Sequence, residues 1–305
     1  MIFRFKTPVP QGRVMRADDI RIHFYTTSAD SPKSYLSKDA ARRILADPDF
    51  DRNKTTVFYA HGYLELFTDE SVSRVAAAYV SRGVTLLALD YSNLAYGDYL
   101  TACTHVNEIA REATSFMSAL LLGGLARAAL RLVGHSMGAH VMGHVARRLG
   151  RRGFRVTRLS GIDPAYPLFY PPFVLNSPLS TSDADFVDII HTDGGSYGVP
   201  ASVGHADFWP NGGTSRQPGC AGGTILFTNE DFCSHWRSWW FWSEAVVGGR
   251  FLARRCSDYD TFLRGGCRDN DAVHMGHDAN TTLRGNFYLR TAAASPFALG
   301  EIGAM

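Results

Sequence analysis

Short apolar runs alternate with longer stretches of helical spacing through the first two thirds of the chain. The runs are Thr56 to Ala60, Val84 to Leu89, Ala129 to Val133, Val156 to Ser160 and Phe186 to Ile190. Each is too short for a helix and apolar on both faces, as buried parallel strands are. Between the first four lie Ser71 to Arg82, roughly Val106 to Leu122, and Ala139 to Leu149, the last with Val141, Met142, Val145, Ala146 and Leu149 at helical spacing. Strands alternating with helices predict an α/β fold whose parallel sheet is built by right-handed crossovers. Ahead of them, Asp19 to Thr26 sets Ile20, Ile22 and Phe24 against Arg21, His23 and Tyr25, the alternation of an edge strand.

The length of 305 residues suits one large core. With no linker-like stretch or fixed-period repeat, one domain over residues 1–305 is expected. The net charge of +2 excludes any strong demand for a polyanion, and nucleic acid is not expected as a partner. Arg147, Arg148, Arg151, Arg152, Arg155 and Arg158 crowd the end of one helical stretch and the segment after it. They are read as a solvated face, with anionic lipid head groups as the sharper alternative. No run of eighteen apolar residues is present, and residues 1–6 lack the apolar core of a signal peptide.

Four of the five cysteines form two short-range pairs, Cys220 with Cys233 and Cys256 with Cys267. As disulfides, each would tether a loop and contribute ~3 kcal/mol. They point to a secreted protein whose leader is absent from this chain. Zinc is a weaker reading of the four, because no Cys-x-x-Cys occurs. Cys103 is expected as a buried free thiol. Asn53-Lys54-Thr55 and Asn280-Thr281-Thr282 fit the glycosylation pattern.

Gly134-His135-Ser136-Met137-Gly138 joins a predicted strand to a predicted helix. A serine at such an elbow sits on strained backbone between residues that must be tiny, and its Oγ projects into a cleft at a helix N-terminus. Ser136 is therefore the candidate nucleophile. A serine alcohol needs a histidine base and a carboxylate to orient it. Strand-end aspartates are Asp90, Asp163 and Asp193, and Asp163 is preferred because it ends the strand next after the nucleophile's helix. Of eleven histidines, His235 is preferred over His191, His205, His274 and His277, because it lies two residues after Cys233 in a loop expected to be tethered.

These motifs resemble the animal pancreatic lipase family. Gly134 to Gly138 is similar to its nucleophile motif, Ile162-Asp163-Pro164-Ala165 to its acid motif, and Cys233-Ser234-His235-Trp236-Arg237 to its histidine motif. Ile190 to Gly195, His205 to Gly213 and Gln217 to Cys220 fit as well, so the resemblance runs from about residue 15 onward. It implies an α/β-hydrolase fold, a Ser136, Asp163, His235 triad, and an oxyanion hole from the amides of Tyr63 and Met137. It further implies hydrolysis of triacylglycerol or phospholipid esters at a membrane or emulsion surface, without a cofactor. A non-catalytic lipid-binding or storage protein is the alternative.

Twelve residues, Ala221 to Phe232, occupy the place of the family's lid. Gly222-Gly223 and Ile225-Leu226-Phe227 are expected to form either a small lipid-touching flap or a plain surface hairpin. The family's C-terminal β-sandwich has no room in this chain, so no colipase-like partner is expected. The family's calcium loop corresponds to Pro178 to Asp185, where an acidic position reads Ser180, and the carboxylates are too few for a calcium to be expected. Within Trp236 to Trp242, Trp236, Trp239 and Trp240 are expected to face the core, with Phe241 and Trp242 toward the surface.

Overall fold

The computed structural model describes residues 19–222 and 225–305, so residues 1–6, read as lacking a signal-peptide core, and Gly223 of the flap lie outside the described residues. The chain opens with β1 (Arg21–Tyr25), β2 (Lys33–Leu36) and α1 (Ser37–Leu45). Strands and helices then alternate as β3 (Thr56–Ala60), α2 (Glu70–Ser81), β4 (Thr85–Asp90), α3 (Tyr99–Leu122), β5 (Leu130–His135), α4 (Met137–Arg151) and β6 (Arg158–Ile162), and β7 (Phe186–Ile190) follows without an α-helix between. The remainder supplies β8 (Ala206–Pro210), α5 (Asn229–Val246), β9 (Leu252–Arg255), α6 (Tyr259–Leu263), β10 (Ala272–His274) and β11 (Gly285–Leu289).

These strands form one sheet in the order β10-β9-β11-β8-β7-β6-β5-β3-β4-β1-β2. From β4 to β11 the neighbours run parallel. At the two margins they run antiparallel. Side chains of β3 show why the central strands read as continuous apolar runs. Phe58 and Ala60 join a core beneath α1, α3 and α4, while Val57 and Tyr59 join a second core beneath α2 and α5. Both faces are covered, which is the α/β-hydrolase arrangement. Each large side chain so buried contributes about 1.5–3 kcal/mol.

Three expectations are corrected. The strand at Arg21–Tyr25 is not an edge, because β4 flanks it on one side and β2 on the other. Its His23 is accordingly buried, bonded to Ser34 Oγ at 2.5 Å and Asp90 Oδ2 at 3.1 Å. Arg158 is no surface cation. It is buried, grips Asp188 with two nitrogens at 3.0 and 2.8 Å, and donates to the carbonyls of Gly276 and His277. The phase of the tryptophan helix also differs. Ser238, Trp239, Trp242, Ala245 and Val246 form the inward face of α5, with Phe241 fully buried beside them, while Trp236 and Trp240 are only partly covered.

Both expected disulfides are formed, with Cα separations of 5.6 Å for Cys220–Cys233 and 5.7 Å for Cys256–Cys267, and Cys103 is a buried free thiol in α3. Burial pushes that thiol up to about 11. In the loop before β7, both oxygens of buried Asp183 are taken by Arg147 at 2.8 and 3.0 Å, one of them also by the Ser180 amide, and Arg155 pairs with Asp185 at 2.6 Å. These carboxylates are already neutralised by guanidinium groups and do not fit a calcium site. Arg147→Met is expected to lower thermal stability by several degrees, since it strands a buried carboxylate at about 3 kcal/mol. EDTA is expected to leave the melting temperature of the unaltered protein unchanged; differential scanning calorimetry checks both.

Candidate active site

Ser136 joins β5 to α4 with φ 55° and ψ −124°, a left-handed backbone that a side-chain-bearing residue rarely adopts. The neighbouring glycines explain how it is held. A Cβ on Gly134 would stand 2.3 Å from the Gly138 carbonyl oxygen, and one on Gly138 would stand 2.3 Å from the His61 carbonyl oxygen. Strand β5, helix α4 and the loop after β3 therefore close on one another only without side chains at these positions. The Ser136 amide donates to the Ile162 carbonyl at 3.1 Å, tying the elbow to the end of β6.

At that strand end Asp163, also at positive φ (49°), is fully buried. Its Oδ1 accepts from the amides of Thr192 at 2.8 Å and Asp193 at 3.2 Å, and its Oδ2 lies 2.6 Å from Nδ1 of His235. Gly198 is obligatory here, because a Cβ would stand 2.4 Å from Asp163 Oδ1. The carboxylate fixes the tautomer: Nδ1 carries the proton and Nε2 is left as the acceptor. His235 sits within α5 rather than in a loop. Thr228 caps that helix by accepting from the Asp231 amide, and the Cys220–Cys233 bridge tethers it two residues before the histidine.

Ser136 and His235 line one cavity of about 150 Å³ together with Tyr63, Glu65, Tyr99, Pro167 and Phe232. No hydrogen bond joins Ser136 Oγ to His235 in this structure. Phe227 roofs the cavity, with ring centroids 6.3 Å from Tyr63, 5.9 Å from Tyr197 and 6.0 Å from Phe232. Its amide donates to Asp231 Oδ2 at 2.9 Å, and the same oxygen accepts from the Tyr197 hydroxyl. Phe227 packs on these rings although 41% exposed, while Ile225 and Leu226 are 71% and 70% exposed. A larger polar cleft of about 220 Å³, between Arg21 and Asp90, contains none of these groups.

Of the amides expected for the oxyanion hole, Met137 belongs to the unpaired first turn of α4, and Tyr63 donates to no described residue. The competing candidates are otherwise engaged. Asp90 is held down to about 2: burial opposes its charge, but bonds from His23 and Ser92 outweigh that. His191 is bonded to Asp207 at 2.9 Å, His205 accepts from the Val187 amide, His277 packs on Arg131, and His274 lies exposed on β10. His140 and His144 contact the Ala165 and Ser177 carbonyls.

Asp193 is the near neighbour that sequence reasoning set aside. Asp163, Asp193 and His235 present atoms within 4.8 Å of one another. A cation would fit that spacing, but the carboxylate oxygens are already taken. Those of Asp163 serve His235 and two amides, while those of Asp193 serve the Ser215 hydroxyl and the Tyr197 amide. Burial, and then the charge of Asp163, raise the Asp193 carboxyl above its usual range. Burial alone would lower His235; the bond and charge of Asp163, followed by the charges of Asp193 and Glu65, raise it instead.

A model of the lipase family matches residues 6–297. The chain belongs to the lipase family. Curated relatives of this lipase-family chain include pancreatic triacylglycerol lipase of Myocastor coypus, 29% identical over 91% of the chain and 66% of that protein. Human pancreatic triacylglycerol lipase is 28% identical over 92% of the chain and 65% of its own length. Pancreatic lipase-related protein 2 of Bos taurus is 30% identical over 92% and 65% respectively. The lipase-family chain thus spans slightly less than two thirds of the length of these relatives.

Sequence reasoning missed Glu65, Tyr99 and Tyr197 at the cavity of this lipase-family chain. Only Glu65 carries a readable signal, as a lone carboxylate three residues after His61-Gly62 in an apolar loop. Because Asp193 raises His235, Asp193→Asn is expected to move the histidine's titration to lower pH. The imidazole NMR signal followed across the neutral range checks this; an unmoved titration contradicts it.

Proposed function

We propose that this chain is a serine carboxyl-ester hydrolase that releases fatty acids from lipids. The observation that carries the reading is the buried Asp163–His235 pair, 2.6 Å apart, opening on the same largely apolar cavity as the strained Ser136. His235 Nε2 takes the Ser136 proton as Oγ bonds to the ester carbonyl carbon, and Asp163 stabilises the imidazolium. The Tyr63 and Met137 amides bind the oxyanion of the tetrahedral intermediate. Collapse breaks the bond to the alcohol, which leaves with the proton from His235. Water, deprotonated by the same imidazole, then attacks the acyl-enzyme and frees the fatty acid and Ser136. The chain's own side chains supply every proton movement, so no cofactor enters the scheme.

A lipid substrate is supported by the aromatic lining of the cavity and by the exposed Ile225 and Leu226 beside its Phe227 roof. Such a rim suits contact with a membrane or emulsion surface. The two disulfides support an extracellular setting, where they persist.

Fatty-acid release from emulsified triolein and from phosphatidylcholine vesicles, measured in parallel, tests the reading. At least one is expected to be hydrolysed, the preferred one defining a neutral-lipid lipase or a phospholipase A1. Ser136→Ala is expected to lose on the order of 10⁴-fold or more in rate while remaining folded. Retained activity in that variant overturns the mechanism, and silence of the unaltered protein on both substrates favours a lipid-binding role instead.

A further inference from the structure

Behind the cavity lies a carboxylate that the reaction scheme leaves unused. Glu65 is 6% exposed, in the loop that leads from β3 to α2. Its Oε2 accepts from the Gly62 amide at 3.0 Å and from the Ser71 hydroxyl, at the start of α2, at 2.9 Å. Its Oε1 lies 2.5 Å from Nδ1 of His135, the residue before Ser136. We propose that Glu65 is a positioning residue of the oxyanion hole, fixing the His61–Gly62 peptide against the nucleophile elbow so that the next amide, that of Tyr63, is presented to the substrate carbonyl. This rests on the acyl-transfer reading above.

Backbone accounting supports it. Of three successive amides, Gly62 donates to Glu65 and Leu64 donates to the Ala95 carbonyl at 3.0 Å, leaving Tyr63 between them without a described acceptor. Leu64 itself adopts φ 58°, so the loop is held in a conformation it would not choose alone. The loop and elbow are in direct contact: a Cβ on Gly62 would stand 3.0 Å from both His135 Nδ1 and Ser136 Cβ, and 3.1 Å from Glu65 Oε1. A carboxylate suits the task because an ionised one donates at neither oxygen: Oε2 accepts from Gly62 and Ser71, while Oε1 faces His135 Nδ1 as a close ion-pair contact without hydrogen-bond geometry. Burial opposes that charge, but His135 more than compensates and holds the Glu65 carboxyl down to about 2. Glutamine has the same shape, yet its NH₂ must face one of these partners in place of an oxygen.

Glu65 also acts at a distance on His235. That imidazole is faced by Asp163 beyond β6, Asp193 beyond β7, the His135 ring at 4.7 Å, the Tyr197 ring at 5.8 Å, and Glu65 from the loop after β3. Removing the Glu65 charge therefore lowers the pH at which His235 becomes neutral.

The test is steady-state hydrolysis of p-nitrophenyl butyrate across pH by the unaltered protein, Glu65→Gln and Ser71→Ala, with Ser136→Ala as blank and melting temperatures in parallel. Glu65→Gln is expected to lower kcat about 100-fold, as loss of one oxyanion donor does, with KM within about threefold and the acid limb at lower pH. Ser71→Ala, which removes one anchor of the carboxylate, is expected to lower kcat about tenfold at unchanged KM, a bonding contact to a charged acceptor being worth about 1.5 kcal/mol. A folded Glu65→Gln with unaltered kcat overturns the proposal. If that variant does not fold, an unaltered kcat in Ser71→Ala overturns it. An inactive unaltered protein overturns the hydrolase reading and this inference with it; an active one matched by Glu65→Gln overturns this inference alone.

Discussion

Left-handed backbone at Ser136 costs on the order of 1–3 kcal/mol and persists only where its surroundings over-determine it. Here three elements do so. Gly134 and Gly138 let the end of β5, the start of α4 and the loop after β3 close to distances that no Cβ would permit. The bond from Ser136 to Ile162 fixes the elbow to the adjacent strand. Because β3, β5, β6 and β7 are parallel neighbours, their carboxyl ends deliver Tyr63, Ser136, Asp163 and Asp193 to one margin of the sheet. The two cores stabilise the sheet, and the sheet holds the strain.

Charge is concentrated at the same margin. Asp163, Asp193 and Glu65 are all buried around two imidazoles, those of His235 and His135. A buried carboxylate is tolerable only when paired or hydrogen-bonded, and each of these is. Their combined field raises His235, which sets the sign of pH dependence for its proposed role: a base that must be neutral gains activity as pH rises through its pKa. Stability follows the opposite course for this group. The contribution from a raised histidine is complete below its unfolded pKa and is lost as pH rises through the folded one.

Legibility in the sequence followed burial. β3 and β7 match their apolar runs residue for residue, because both of their faces are covered; the one charged member, Asp188, is itself buried against Arg158. β2, β9 and β10 were invisible: Lys33–Leu36 and Leu252–Arg255 are short, carry charge and sit near sheet margins, so their pairing is set by neighbours distant in sequence. Helix α5 was read as a loop at its start, although Thr228 three residues before Asp231 is a readable cap. The tryptophans alone mislead about its phase, because Trp242 donates to Tyr79 of α2 and Phe241 packs on Phe251 and Phe297, partners that the local pattern does not contain. The grouping of Ser136, Asp163 and His235 at one end of the sheet is legible because strand-end position and motif agree. Glu65 is not, since its significance lies in contacts to Gly62, Ser71 and His135 that only the fold creates.

The proposed covalent catalysis by one serine rests on membership of the lipase family and on the geometry around Ser136. The most direct measurement is mass-spectrometric mapping after treating the folded protein with a fluorophosphonate, which bonds only to a hydroxyl activated by a neighbouring base. A single adduct on Ser136, absent when His235 is replaced by alanine, is the result predicted here. An unlabelled native protein, or an adduct on another residue, would contradict it.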